Sequence, residues 1–276
     1  MSIKQILVPV LSLEEDREAL AAAAILAERF DARATALIVA VHPGSEYAAE
    51  SASLSAVLDD LTSPRPQAMR RREDIVAWLD QGQRGDAFEV RDVQIERAVI
   101  ENEVLAHARL SDLVVVAHSV GRGRRALFED ILFRSARAVL LIPSGLKAFA
   151  WNRVIIGWDA KNTAMRAIGG ALPLLQSAKE VVVATVDAKP SASGHGAAPG
   201  HDLARYLARH GVSVDVRNID GLGRGAGEAL RGACRDFGAE LLVMGAYGHS
   251  RAAEFVFGGV TRDFLANPPA PLLLAH

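Results

Sequence analysis

Asp112-Leu113-Val114-Val115-Val116-Ala117-His118-Ser119 and Glu240-Leu241-Leu242-Val243-Met244-Gly245-Ala246-Tyr247 decide the fold. Each opens on an acidic residue and continues as an unbroken apolar run, the pattern of a parallel strand buried on both faces. Two more pairs keep the same order. Ile6-Leu7-Val8-Pro9-Val10 is answered by Val154-Ile155-Ile156-Gly157-Trp158, and Ala138-Val139-Leu140-Leu141-Ile142-Pro143 by Ala270-Pro271-Leu272-Leu273-Leu274-Ala275. The offsets are 148, 128 and 132 residues (154 against 6, 240 against 112, 271 against 139), so the first half carries extra length, much of it within residues 42–84. Behind the first strand a helical stretch from about Leu13 to Phe30 sets Leu20, Ala23, Ala24 and Leu26 on one face, and behind its counterpart another runs through Ala167, Leu172 and Leu175.

Alternating strands and helices predict a parallel sheet in each half, because parallel neighbours need long right-handed crossovers. The fold expected is α/β, with two tandem five-stranded, Rossmann-like domains over residues 1–147 and 148–276 and a boundary between Leu146 and Ala150. Asp187 to His201, with Pro190, Gly194, Gly196 and Pro199, reads as a mobile surface loop inside the second domain. The apolar closing strands Val139–Ile142 and Pro271–Ala275 predict that the halves pack about a pseudo-two-fold axis as an intrachain pseudo-dimer; a homodimer of the whole chain is compatible with this.

Composition narrows the partners. The chain has 276 residues, half of them apolar, and 31 Lys+Arg against 33 Asp+Glu give a net charge of -2. There is no basic field for nucleic acid or an anionic membrane. One cysteine excludes a disulfide framework and a Cys-based zinc site. No apolar run reaches the roughly 20 residues that span a bilayer. Met1-Ser2-Ile3-Lys4-Gln5 leads straight into a strand instead of a signal peptide, so a cytoplasmic protein is expected.

In open α/β sheets ligands sit beyond the carboxyl ends of the strands. There the second half has Gly245-Ala246-Tyr247-Gly248 and, further on, Gly258-Gly259-Val260-Thr261, a G-x2-G-x9-G-G pattern. Glycines let backbone N–H groups approach a ligand, and a helix N-terminus adds unpaired donors with partial positive charge, so a phosphate is the guest expected. This spacing, the Met-Gly before it and the duplicated order resemble the universal stress protein (UspA-like) family in a tandem two-domain form. The resemblance covers essentially the whole chain. It implies an adenine nucleotide alpha hydrolase-like fold and a bound nucleotide, ATP or AMP, with Mg2+ as an optional companion of the phosphates. It implies further that Asp159 and Val186 hold adenine and that Gly245, Gly248, Gly258 and Gly259, followed by Val260 and Thr261, hold the phosphates. Gly259 stands where the family usually has Ser or Thr; Thr261 is the candidate to replace that hydroxyl. Read from the residues alone, Asp159 could equally be the N-cap of the next helix.

The first half keeps the strands and loses the site: Leu11 replaces the aspartate, and Ala117 and Val120 replace the loop glycines. Arg122, Arg124 and Arg125 read as a solvated, glycine-punctuated loop. Asp220 to Gly227 imitates a dinucleotide fingerprint but lacks the acidic residue about 20 positions on, and reads as a turn from which Arg224 could approach a phosphate. Cys234, in helical spacing with Leu230 and Phe237, reads as a core thiol. His195, His201 and His210 offer no firm metal geometry. No Walker lysine loop, nucleophile elbow or magnesium-holding carboxylate pair is present. One nucleotide bound by the second half is therefore expected, in a regulatory or protective stress-response role with unidentified protein partners. The alternatives are a slow ATP-hydrolysing enzyme and a ligand-free interaction scaffold.

Overall fold

The computed structural model describes residues 2–40, 64–82, 85–94, 100–118, 122–191, 195–247 and 259–276. The chain divides into two units, Ser2–Ala148 and Phe149–His276. The first unit runs β1 (Gln5–Val10), α1 (Leu13–Phe30), β2 (Arg33–Ala40), α2 (Pro64–Gln81), a short 3-10 turn (Gly85–Ala87), β3 (Phe88–Gln94), α3 (Ile100–Arg109), β4 (Leu113–Ala117), α4 (Arg122–Arg134) and β5 (Ala138–Ile142). The second runs β6 (Arg153–Gly157), α5 (Asn162–Ser177), β7 (Glu180–Val186), α6 (His201–Arg209), β8 (Asp215–Ile219), α7 (Ala226–Phe237), β9 (Leu241–Gly245), α8 (Gly259–Ala266) and β10 (Leu272–Ala275).

Each unit is a five-stranded sheet, in the order β3-β2-β1-β4-β5 in the first and β8-β7-β6-β9-β10 in the second, and every pair within each is parallel. The central strands are apolar along their length because helices cover both faces; Val114, Val115, Leu242 and Val243 are fully buried. Of the extra length in residues 42–84, α2 supplies the described part, and 41–63 and 83–84 lie outside the described residues.

The acidic residue that opens each apolar run has a physical task. Asp112 Oδ2 accepts the backbone N–H groups of Lys4 and Gln5 at 2.8 and 3.0 Å, and Glu240 Oε2 accepts those of Asn152 and Arg153 at 2.6 and 3.3 Å. Each carboxylate thus gathers two amides at the entry of the neighbouring strand, before the ladder begins, and fixes the register of the sheet's two central strands. In the second unit Arg231 ties α7 to α8. Its Nη2 meets Asp263 at 2.7 Å, its Nη1 donates to Asn267 O at 2.7 Å, and the guanidinium lies 4.9 Å from the centre of the Phe264 ring. No helix among the described residues is long and apolar enough to cross a membrane.

Candidate functional site at the sheet crossover of the second unit

β6 and β9 are neighbours, with Gly157 opposite Met244, and the chain leaves them in opposite directions, from β6 through α5 to β7 and from β9 through α8 to β10. Their carboxyl ends therefore frame a crevice, the place where ligands enter open α/β sheets. Asp159 lies two residues beyond β6, about half-exposed. Its Oδ1 accepts the Lys161 N–H at 3.1 Å and its Oδ2 is 3.7 Å from Lys161 Nζ. Lys161 itself is the N-cap of α5, so the capping role considered for Asp159 is not taken; its carboxylate closes a turn one residue earlier. Val186 is the last residue of β7, the strand beside β6.

Gly245, the last residue of β9, is glycine for want of room. A Cβ there would stand 2.5 Å from Thr163 Oγ1 and 2.8 Å from Thr163 C, and would press on the backbone nitrogen of Ala164. The first turn of α5 thus sits directly on the end of β9. Thr163 is nine-tenths buried there, and its Oγ1 has no hydrogen-bond partner among the described residues. Across the crevice, Gly259 opens α8, and among the described residues nothing lies within 4 Å of where its Cβ would be. Thr261 is buried, and its Oγ1 accepts the Tyr247 N–H at 3.4 Å. Its oxygen therefore holds the loop leaving β9, while the O–H proton stays available for a further acceptor. Gly227, in the first turn of α7, packs on Val260: its Cβ would lie 3.5 Å from Val260 Cγ2. The N-termini of α5 and α8 therefore meet at the end of β9, with that of α7 beside α8, and each brings the partial positive charge of a helix start. Gly248 and Gly258 lie outside the described residues.

The corresponding crevice of the first unit is filled from within. Asp16, on the first turn of α1, is 1% exposed; its Oδ2 accepts the N–H groups of Leu11 and Ser12 at 2.8 and 3.0 Å, and its Oδ1 accepts from Arg124 Nη1 at 2.6 Å. Arg124 Nε also lies 2.5 Å from Glu15 Oε2, and its side chain is only 8% exposed. The loop expected around Arg122, Arg124 and Arg125 is corrected to a helix start, and the solvation expected holds for Arg125, whose side chain is 48% exposed, but not for Arg124. α4 already begins at Arg122, and Arg124 is buried because two carboxylates on α1 neutralise it. Val120 lies outside the described residues.

The remaining candidates keep to structural roles. Asp220–Gly225 is a turn pinned by the Asp187 carboxylate, which accepts the Gly221 N–H at 2.9 Å, and Leu222, Gly223 and Gly225 have φ of 49°, 71° and 87°; Ala226 and Gly227 already belong to α7. Burial pushes the Cys234 thiol up to about 12, against a smaller opposing pull from Arg231. Among the described residues no three His, Cys, Asp or Glu side chains are grouped to hold a metal.

No family model matches the sequence, and neither does any curated protein. Solved structures do. A universal stress protein from Archaeoglobus fulgidus DSM 4304 superposes with a TM-score of 0.72 at 14% identity, covering 99% of this chain and 96% of that one. The chain has the tandem universal stress protein fold. A Pseudomonas aeruginosa UCBPP-PA14 protein provisionally given the same family name matches with a TM-score of 0.56 at 15% identity over 99% of this chain and 93% of its own. A functionally unknown protein from Pseudomonas aeruginosa PAO1 gives 0.56 at 14%, covering 99% and 92%. Within this universal stress protein fold, the glycine pattern pointed to the crevice of the second unit but not to Thr163 or Asp16. A threonine on the apolar face of a helix carries no signal of its own, whereas an acid at position 16, among the buried positions of α1, was a legible anomaly.

Proposed function

We propose that the chain is a universal stress protein whose second domain, residues 148–276, binds one adenine nucleotide, ATP or AMP, while residues 1–147 form a degenerate domain without a ligand. The observation that carries this reading is the meeting of the N-termini of α5 and α8 at the carboxyl end of β9, with the start of α7 beside α8; the missing side chain of Gly245 lets α5 approach. Such a concentration of N–H donors and positive dipole ends suits a run of phosphates. Gly259, Val260 and Gly245, with Gly248 and Gly258, would meet the phosphates; Asp159 and Val186, on the adjoining strand ends, would meet the base, as the family resemblance implies. Mg2+, where present, would travel with the phosphates, since no grouped protein ligands are found for it among the described residues. The role supported is a binding one, in which nucleotide occupancy sets how the protein engages others during stress. Calorimetric titration of the full chain with ATP and AMP tests it. One site per chain is the expected result; two equivalent sites, or none at millimolar nucleotide, would overturn it. A mass spectrum of whatever small molecule leaves the denatured protein identifies the native ligand.

A further inference from the structure

We propose that the hydroxyl of Thr163 is a phosphate-binding group and that the N-terminus of α5 is a separate anion locus of the site, filled in the first unit by the protein's own carboxylate. The proposal rests on the nucleotide reading above and adds to it a residue outside the glycine pattern.

The first turn of α5 holds no acidic residue, and its N-cap, Lys161, makes no side-chain capping bond. The amides of that turn therefore lack the side-chain acceptor that a helix start usually supplies. In their midst Thr163 Oγ1 is buried without a partner among the described residues. An unpaired buried hydroxyl destabilises the fold, and replacing it by an isosteric methyl would relieve the cost. Its place is also specific: it lies against Gly245, at the crevice between β6 and β9, where the absent Cβ lets the helix come down on the strand end.

The first unit shows what this locus takes. There the first turn of α1 carries Glu14, Glu15 and Asp16, and the buried Asp16 carboxylate accepts two amides of the β1–α1 loop together with Arg124. An anion stands at the start of the first helix, and it is internal. In the second unit the turn itself carries no acid, with Asn162, Thr163 and Ala164 occupying it; the Asp159 carboxylate, two residues before the N-cap, is half-exposed and accepts the Lys161 N–H, and the buried donor of Thr163 is left over. An external anion with several acceptor oxygens answers both features, accepting from the hydroxyl and lying at the positive end of the helix dipole. A phosphate oxygen of the nucleotide has this chemistry; the base and the ribose do not carry the charge.

The test uses the full chain with Thr163→Val, which removes the hydroxyl at constant shape, and Thr163→Ser, which keeps it. Each is titrated with ATP and with adenosine, and thermal unfolding is followed without ligand. Thr163→Val should weaken ATP roughly tenfold to a hundredfold, the effect of one lost hydrogen bond to a charged acceptor, and leave adenosine binding unchanged. The same variant should unfold at an equal or higher temperature than the parent, while Thr163→Ser keeps the parent's ATP affinity. If the valine variant does not fold, Thr163→Ala takes its place. Unchanged ATP affinity in the hydroxyl-free variant, with the parent binding normally, overturns this proposal and leaves the nucleotide reading standing. Equal losses for ATP and adenosine, or a serine variant as weak as the valine one, also overturn it, since they would mark a packing role. A parent that binds neither ligand removes the nucleotide reading and this proposal with it.

Discussion

Replacing Gly245 by alanine adds one methyl group at the place where the sheet and α5 touch. That methyl would stand 2.5 Å from Thr163 Oγ1 and 2.8 Å from Thr163 C, whereas ordinary contacts of a Cβ are 3.4–4 Å. The hydroxyl could rotate away. The carbonyl carbon of Thr163 and the nitrogen of Ala164 belong to the helix backbone and cannot, so the first turn of α5 must retreat by about 1 Å or β9 must bend. α5 packs on β9 and β10 along its apolar face, with Ala167, Ile168 and Ala171 fully buried, so a rigid withdrawal would open that face. Overpacking of this kind costs about 1–3 kcal/mol, and backbone on both sides of the clash puts the expected value near the upper end. The helix start would also move away from the phosphates, and an N-terminal interaction of about 0.5–2 kcal/mol falls off within one turn, so ATP should bind roughly 3-fold to 30-fold more weakly. Urea unfolding and calorimetry on the same preparation measure both. An unchanged urea midpoint would refute the packing argument. A destabilised variant with undiminished ATP affinity would refute the assignment of α5 to the site.

Gly259→Ser, 14 residues further along, should behave oppositely: unfolding stays the same and ATP binding tightens by about 0.5–1.5 kcal/mol, read by calorimetry, because a hydroxyl is restored with nothing among the described residues to displace. Asp16→Ala should lower stability by about 3 kcal/mol in urea unfolding, since it leaves the Arg124 charge buried and two loop amides without an acceptor; a loss under 1 kcal/mol would mean that the pair is not formed. Glu240→Ala should cost about 1–2 kcal/mol by the same measurement through the amides of Asn152 and Arg153, while Glu240→Gln, which keeps an acceptor, should cost less. Cys234, with its thiol pushed up to about 12, should resist alkylation in the native protein at pH 8, where only about one thiol in ten thousand is ionised, and react at the rate of opening as urea is added.

The strands were legible because their requirement is written in every residue. A strand covered on both faces must be apolar throughout, so Leu113–Val116 and Leu241–Met244 announce themselves, and their preceding acids mark the start because the neighbouring strand's first amides need an acceptor. α1 was legible over its full length for a related reason, the recurrence of small apolar residues at helical spacing. Arg124 was not, because its neighbours Gly121, Arg122, Gly123 and Arg125 give every sign of a solvated loop. What buries it is an acid 108 positions earlier in the chain, and no local pattern carries that distance.

Gly245 shows the same limit from the other side. The sequence marks it as a phosphate-loop glycine, where the natural reason for glycine is room for a ligand above the backbone. The structure gives a prior reason beneath it: the missing Cβ points into α5, and the space is taken by Thr163 and Ala164. The two reasons are connected, since a helix start can serve a ligand at the end of β9 only if the strand end lets the helix approach. The same dependence accounts for the first unit, where Ala117 stands in place of the glycine, α1 carries its own acids, and the carboxylate of Asp16 occupies the amides that a ligand would need. Losing the glycine and gaining the acid are thus two steps toward one state, a crevice filled from within, although Arg124 Nε and Nη2 find no hydrogen-bond partner there among the described residues. Restoring glycine at position 117 alone would leave that crevice closed, because Asp16 and Arg124 would still fill it.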